Sequence, residues 1–180
     1  MTVAVRPIEP GDKRKLVAAF ERLSEASRYR RFLSPHGQLS KAELRYLTEV
    51  DHHDHEALVA FDTLTGEGMG VARYVRHAQR PDSAEIALVV GDEWQGRGVG
   101  TTLMHALADR AREEGIGRFT AFMLAENDAM AHLLGELGET RVVEVGQGTV
   151  ELAVDLPARG LSPELASWLR SAAHGALRLP

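Results

Sequence analysis

The sequence predicts a mixed α/β domain, a mostly antiparallel central sheet flanked by helices. Two observations lead there. Strand and helix patterns follow the order one strand, helices, three strands, helix, strand, helix, two strands. That order is not the strict alternation of a doubly wound parallel sheet. The 180 residues, 44% of them hydrophobic and 26% charged, are also ordinary for one domain with a substantial core.

Each element has a local reason. Residues 3–8 alternate and end at a Pro-Gly turn, the mark of a strand. Over 12–33 the period becomes helical, with Leu16, Ala19, Phe20 and Leu23 in step, and Ser24 divides the stretch into two helices. Ser40 opens a short helix, with Glu43 completing a capping box. HEALVAF (55–61), GMGVARYVR (68–76) and AEIALVV (84–90) read as strands, the first two joined by turn residues at Thr65-Gly66. A helix over 98–114 carries Val99, Leu103, Ala106, Leu107 and Ala111 on one face, with Gly115 as its C-terminal stop. A strand at 119–124, a helix from 127 to 137 and strands at 140–146 and 149–155 complete the domain, 1–157. Beyond it, 158–180 is expected to form a helical extension. Its stripe of Leu165, Trp168, Leu169 and Ala172 would pack on the domain or on a second subunit, making a homodimer.

Composition narrows the function. A net charge of −5 argues against a general nucleic-acid binder. With no cysteine there is no disulfide, thiolate metal site or cysteine-bound intermediate. The N-terminus lacks a basic-then-apolar signal and no apolar run reaches spanning length, so a cytoplasmic protein with no membrane partner is expected. DHHDH (51–55) does not suit a metal: its histidines cannot share one helix face, and H-E-x-x-H is absent. Asp51 and His55 are expected instead to tie a loop near the acceptor cleft. Arg28, Arg30 and Arg31 read as a solvated helix face, with an acidic acceptor surface as the other reading.

WQGRGVGTTLM (94–104) places glycines at 96, 98 and 100 between an apolar strand and a helix. Glycines let backbone N–H groups approach a ligand, and the helix start adds free donors and a positive dipole end, so an anion is the natural guest. A nucleotide P-loop fails because Arg97 and Gly98 stand where lysine and the hydroxyl belong. The dinucleotide fingerprint fails because Thr101 replaces its third glycine. A plain connector between strand and helix is the remaining alternative.

Gln95-Gly96-Arg97-Gly98-Val99-Gly100 fits Q/R-x-x-G-x-G, and over residues 3–156 the chain resembles the GCN5-related N-acetyltransferases. SRYRRF (27–32), LTEVDHHDHEALVA (47–60), GVARYVR (70–76) and AEIALVVGDEWQGRGVGT (84–101) look like the catalytic domain of bacterial Pat-type protein lysine acetyltransferases. The resemblance implies the acyl-CoA N-acyltransferase fold, with acetyl-CoA as cosubstrate and no metal. It implies that the pyrophosphate rests on backbone N–H groups over Gly96, Arg97, Gly98, Val99, Gly100 and Thr101, with Gln95 of the motif also counted among the cofactor-binding residues. Pantetheine would then pair with Leu88, Val89 and Val90 where their strand splays from its neighbour, and would meet Asn127, which is also a natural helix N-cap.

Acetyl transfer to an amine needs a base, because a lysine ammonium has a pKa of about 10.4. Glu85 lies inside AEIALVV, where apolar neighbours are expected to desolvate its carboxylate, and period-2 alternation puts it on the face of Ala87 and Val89. An ordinary solvent-facing strand glutamate is the competing reading. Its strand also resembles the family's catalytic-glutamate strand. The family's tyrosine acid, in N-x-x-A-x-x-L-Y, is not matched: Asn127 and Leu133 fit, but Met130 takes the alanine place and Leu134 the tyrosine place. Water would then protonate the leaving thiolate, since a thiol pKa is only about 8.5. Without cysteine, direct attack in a ternary complex is expected. The acceptor would be protein lysine side chains, with a small-molecule amine as the alternative. A non-catalytic acyl-CoA sensor is the reading from another class.

Overall fold

In a computed structural model, residues 2–157 are described. β1 (Val3–Pro7) leads through a short 3-10 turn to α1 (Lys13–Arg22), α2 (Glu25–Phe32) and α3 (Lys41–Thr48). β2 (His55–Asp62), β3 (Gly68–His77) and β4 (Arg80–Val90) follow, then α4 (Val99–Glu113), β5 (Arg118–Leu124), α5 (Asp128–Leu137), β6 (Thr140–Val145) and β7 (Thr149–Asp155). The expected C-terminal helix, and with it the homodimer, lies outside the described residues. Among the described residues no helix is long and apolar enough to cross a membrane.

The strands form one sheet in the order β1-β2-β3-β4-β5-β7-β6, with every pair antiparallel except β4–β5. The expected fold class holds. Two details differ from the sequence pattern. β4 starts at Arg80, four residues before the apolar run, because its polar end still pairs with β3 through His77↔Arg80. β7 slots between β5 and β6, so the later of the two final strands is the inner one.

Local caps match their sequence signals. The Ser24 side chain accepts the Ser27 N–H at the α1–α2 break. Ser40 and Glu43 exchange both bonds of the capping box, at 3.2 and 2.7 Å.

The two sheet faces have different work. Leu58, Tyr74, Ile86 and Phe119 pack against Leu103, Met104, Leu107 and Ala111 of α4 and Leu134 of α5, making the main core. α1–α3 lie with the opposite face, which carries His55, Arg73, Glu85 and Val89 at alternating positions. The core face also holds Glu56, fully buried, whose carboxylate meets His52 Nδ1 at 2.7 Å and Arg110 Nε at 3.2 Å. This ties the 51–55 loop to α4.

Candidate functional site

The sheet opens at β4 and β5. These parallel strands pair only at Ser83↔Arg118, Ala84↔Phe119 and Glu85↔Thr120, and β4 runs on to Val90 without this partner. Glu85 therefore stands at the apex of a wedge. Beyond it, the β5-facing backbone of Leu88, Val89 and Val90 is free to pair with an extended ligand.

The glycine loop closes the wide end. Gly96 and Gly98 have φ of +69° and +82°, the left-handed region that strains any side chain. Gly98 is the N-cap of α4, and beyond it the helix starts with unpaired donors. From Gly96 to Thr101, six successive backbone N–H groups make no hydrogen bond among the described residues. Thr102 is the first to find an acceptor, Gly98 O at 3.0 Å. Gly100 is needed for proximity: an added Cβ would sit 3.2 Å from Leu133 Cδ1 and 3.6 Å from Leu88 Cδ2, in the cleft floor.

Loop and wedge share a cleft of about 630 Å³, lined by Leu88, Val89, Val90, Gln95, Gly96, Gly98, Gly100, Thr101 and Asn127. All of these are residues the sequence pointed to. Val99 is 1% exposed and sits in the core, so only its N–H belongs to the loop. The Arg97 guanidinium lies 5.5 Å from the Trp94 ring centroid, outside the cleft lining. Asn127 caps α5 through the Met130 N–H at 3.2 Å while lining the cleft, so its two roles coexist. The donor set suits a pyrophosphate, and the free strand edge suits the amide-bearing arm attached to it.

Two expectations need correction, the enclosure of Glu85 and the solvated arginine face of α2. Glu85 is solvent-exposed: its apolar neighbours Ala84 and Ile86 point to the core face, and alternation carries the carboxylate away from them. Leu134, at the tyrosine place, is fully buried in the core. Arg28 and Arg31 are not a solvated face. Arg28 donates to Glu21 O and stacks over Phe20, and Arg31 is partly buried, with Glu85 acting on its charge.

The 51–55 loop is tied as expected. Asp51 Oδ1 accepts the N–H groups of His53, Asp54 and His55, each at 2.9 Å. Burial opposes its ionised form, but those three donors outweigh burial and hold the carboxyl below its ordinary range. His55 Nε2 lies 3.0 Å from Arg73 Nη1, and burial together with that guanidinium pulls its pKa down to about 4. Among the described residues no group of three or more histidines and carboxylates could hold a metal ion.

Residues 17–138 match the family model described as Acetyltransferase (GNAT) family. The chain belongs to that family. Within the GNAT family it is 37% identical to acetyltransferase Pat of Mycolicibacterium smegmatis over 177 residues, 97% of this chain and 53% of Pat. The chain thus spans about half the length of that relative. Acetyltransferase PA5475 of Pseudomonas aeruginosa is 33% identical over 76% of this chain and 74% of its own. The GNAT domain of S. lividans PAT superposes with a TM-score of 0.79 at 36% identity, covering 87% of this chain and 92% of that one. yncA of Salmonella typhimurium, solved with acetyl-CoA, shares the fold at a TM-score of 0.69 and 18% identity, over 89% of this chain and 98% of that one.

The structure of this GNAT domain adds Asp92 and Thr120, which sequence reasoning passed over, and gives Gln95 its contacts. Asp92 accepts from Ser24 N, Ser24 Oγ and Ser27 Oγ at 2.7–2.8 Å, fastening α2 to the glycine loop. Burial works against its charge and those donors overcome it, holding the carboxyl low. Gln95 Nε2 bridges Ser27 Oγ and Val90 O, at 3.2 and 3.1 Å. Thr120 is the register partner of Glu85, and its hydroxyl lies 3.1 Å from His77 Nε2. The cue for the first of these was present: two serines three apart opening α2, and an aspartate just before the glycines.

Proposed function

We propose that this chain moves acetyl from acetyl-CoA to a primary amine of protein lysine side chains, by direct attack in a ternary complex with Glu85 as general base. One observation carries the reading: an exposed carboxylate at the apex of a wedge whose free strand edge leads to six unpaired N–H donors. The N–H groups over Gly96 to Thr101 bind the pyrophosphate, and Leu88 to Val90 align the pantetheine arm so that the thioester reaches the apex. Glu85, exposed on the open face, meets the acceptor ammonium as it arrives and takes its proton. The freed amine nitrogen attacks the thioester carbonyl, the C–S bond breaks as the nitrogen gives its second proton to water, and water protonates the departing thiolate, whose pKa of about 8.5 makes it a tolerable leaving group. The similarity to Pat supports a protein acceptor; the small-amine reading keeps the same chemistry.

Glu85→Gln tests this. Acetyl-CoA binding should survive, while transfer at neutral pH falls by about 10²–10⁴-fold, the usual worth of a positioned base. Raising the pH should restore part of the loss, because more acceptor amine is already deprotonated. Wild-type rates across the pH range would move the base to Glu126, Asp128 or His132, which also line the cleft. If neither protein acetylates any amine while both bind acetyl-CoA, the chain is a sensor. Labelled acetyl-CoA in host lysate then separates protein from small-amine acceptors.

A further inference from the structure

A second cavity, of about 360 Å³, lies between α1–α3 and the open face of β2–β4. Phe20, Phe32, Leu47, Val59, Val71 and Val89 make much of its wall. Two guanidinium groups, of Arg31 and Arg73, also line it. Arg73 is 5% exposed and reaches only neutral acceptors, His55 Nε2 at 3.0 Å and Leu47 O at 3.1 Å. Arg31 makes no hydrogen bond or ion pair among the described residues, and its guanidinium lies 5.0 Å from the Phe32 ring centroid. Glu85 and Tyr46 act on Arg31 electrostatically, but neither forms an ion pair with it.

The other arginines of this cavity are matched. Arg6 grips Asp12 with two bonds of 2.7 Å, and Arg22 meets Glu67 at 3.2 Å. Burial, with the repulsion of Arg31, pulls Arg73 down to about 9, so it is still charged at neutral pH. Burial pushes Arg31 down as well. Buried cations are normally paired, because water cannot solvate them there; Arg73 is such a cation, and the half-buried Arg31 stands beside it. Asp12, Asp92 and Glu93 also line the cavity, but no carboxylate is bonded to Arg31 or Arg73 among the described residues. The two guanidinium groups make a place that an anion would complete, and their flat forks fit a carboxylate in particular. The apolar remainder of the wall then calls for a hydrocarbon or aromatic body.

We propose that this cavity is a second ligand site, separate from the acyl-CoA cleft, for a small apolar molecule bearing one carboxylate held by Arg31 and Arg73. Arg31 and Val89 line both spaces, so the occupant shares a wall with the transfer site.

The test uses the whole chain without acetyl-CoA. Hexanoate and benzoate serve as probes, with hexanol and benzyl alcohol as neutral controls, followed by NMR titration and thermal melting. The carboxylates should bind saturably and raise Tm, and the alcohols should bind at least about tenfold more weakly, the loss expected for a hydrogen bond to a charged group. Arg31→Met and Arg73→Met should each abolish the preference. Both are expected to fold, since each removes a cation that no carboxylate is bonded to, and the wild-type comparison of acid with alcohol needs no variant. Gly98→Asp should keep carboxylate binding while weakening acetyl-CoA binding, so failure of the cleft assignment is read separately. Equal binding of acid and alcohol, no binding of either acid, a preference that survives both Met variants, or full displacement by acetyl-CoA would each overturn the proposal.

Discussion

Gly98 offers the sharpest test of the loop, because the structure separates two effects that a single substitution would mix. Its φ of +82° is costly for an L side chain, yet nothing lies within 4 Å of a Cβ built there. Alanine therefore meets no clash and pays only backbone strain, about 1–2 kcal/mol. Asparagine tolerates the left-handed region better than most residues, so Gly98→Asn should keep the loop close to its present shape. Gly98→Asp has nearly the same shape and adds one negative charge where the pyrophosphate is proposed to lie.

At a separation of some 6 Å, with an effective dielectric between bulk water and protein surface, that charge costs about 1–3 kcal/mol per phosphate charge. Calorimetry with acetyl-CoA at low salt should then show Gly98→Asp weaker than Gly98→Asn by roughly 5- to 150-fold. High salt should shrink the gap, since the screening length drops from about 10 Å at 0.1 M to about 3 Å at 1 M. Acetyl-pantetheine, which lacks the pyrophosphate, should not distinguish the two variants. Equal affinities of the two variants for acetyl-CoA at low salt would refute the reasoning, as would the same gap with acetyl-pantetheine.

Other perturbations probe the scaffold around the cleft. Leu134→Tyr forces a larger, hydroxyl-bearing side chain into a fully buried position. It should lower stability by about 1–3 kcal/mol in denaturant unfolding without supplying a catalytic acid, and unchanged stability would contradict this packing. Arg110→Met removes the guanidinium from the buried Glu56 carboxylate, leaving it His52 and the Ala57 N–H, and should cost about 3–5 kcal/mol. Glu56→Gln leaves Arg110 with Glu113 and Glu114, so it should cost only about 1–3 kcal/mol, and urea melts giving the reverse order would count against the network. His55 titrates at about 4 in the fold against 6.5 ordinarily. The unfolded chain thus binds this proton first as pH falls, and stability should drop between those values. His55→Gln should flatten that part of the pH–stability curve, and an identical slope would mean His55 is not held neutral by burial and Arg73.

What the sequence made legible is what short-range chemistry writes into it. Positive φ at Gly96 and Gly98 is a local demand that glycine announces, and period-2 alternation put Glu85 on the open face with Ala87 and Val89. What covers that face is decided by partners far away in sequence, and here local reasoning went astray. Ala84 and Ile86 looked like neighbours that would enclose Glu85, yet the alternation that aims them into the core turns Glu85 out. Arg31 failed in the opposite sense. In SRYRRF it resembles any charged helix residue, but Asp92 binds the serines at the start of α2 and fastens that helix to the loop. α2 then lies along β4, and Arg31 is carried inward beside Arg73, which a different strand supplies. The wedge has the same character, since pairing that stops at Glu85↔Thr120 is a property of two strands separated by a whole helix. The loop proposed to hold a phosphate can therefore be found one residue at a time, whereas the surroundings of Glu85 and the cavity beside it exist only once α2 has docked.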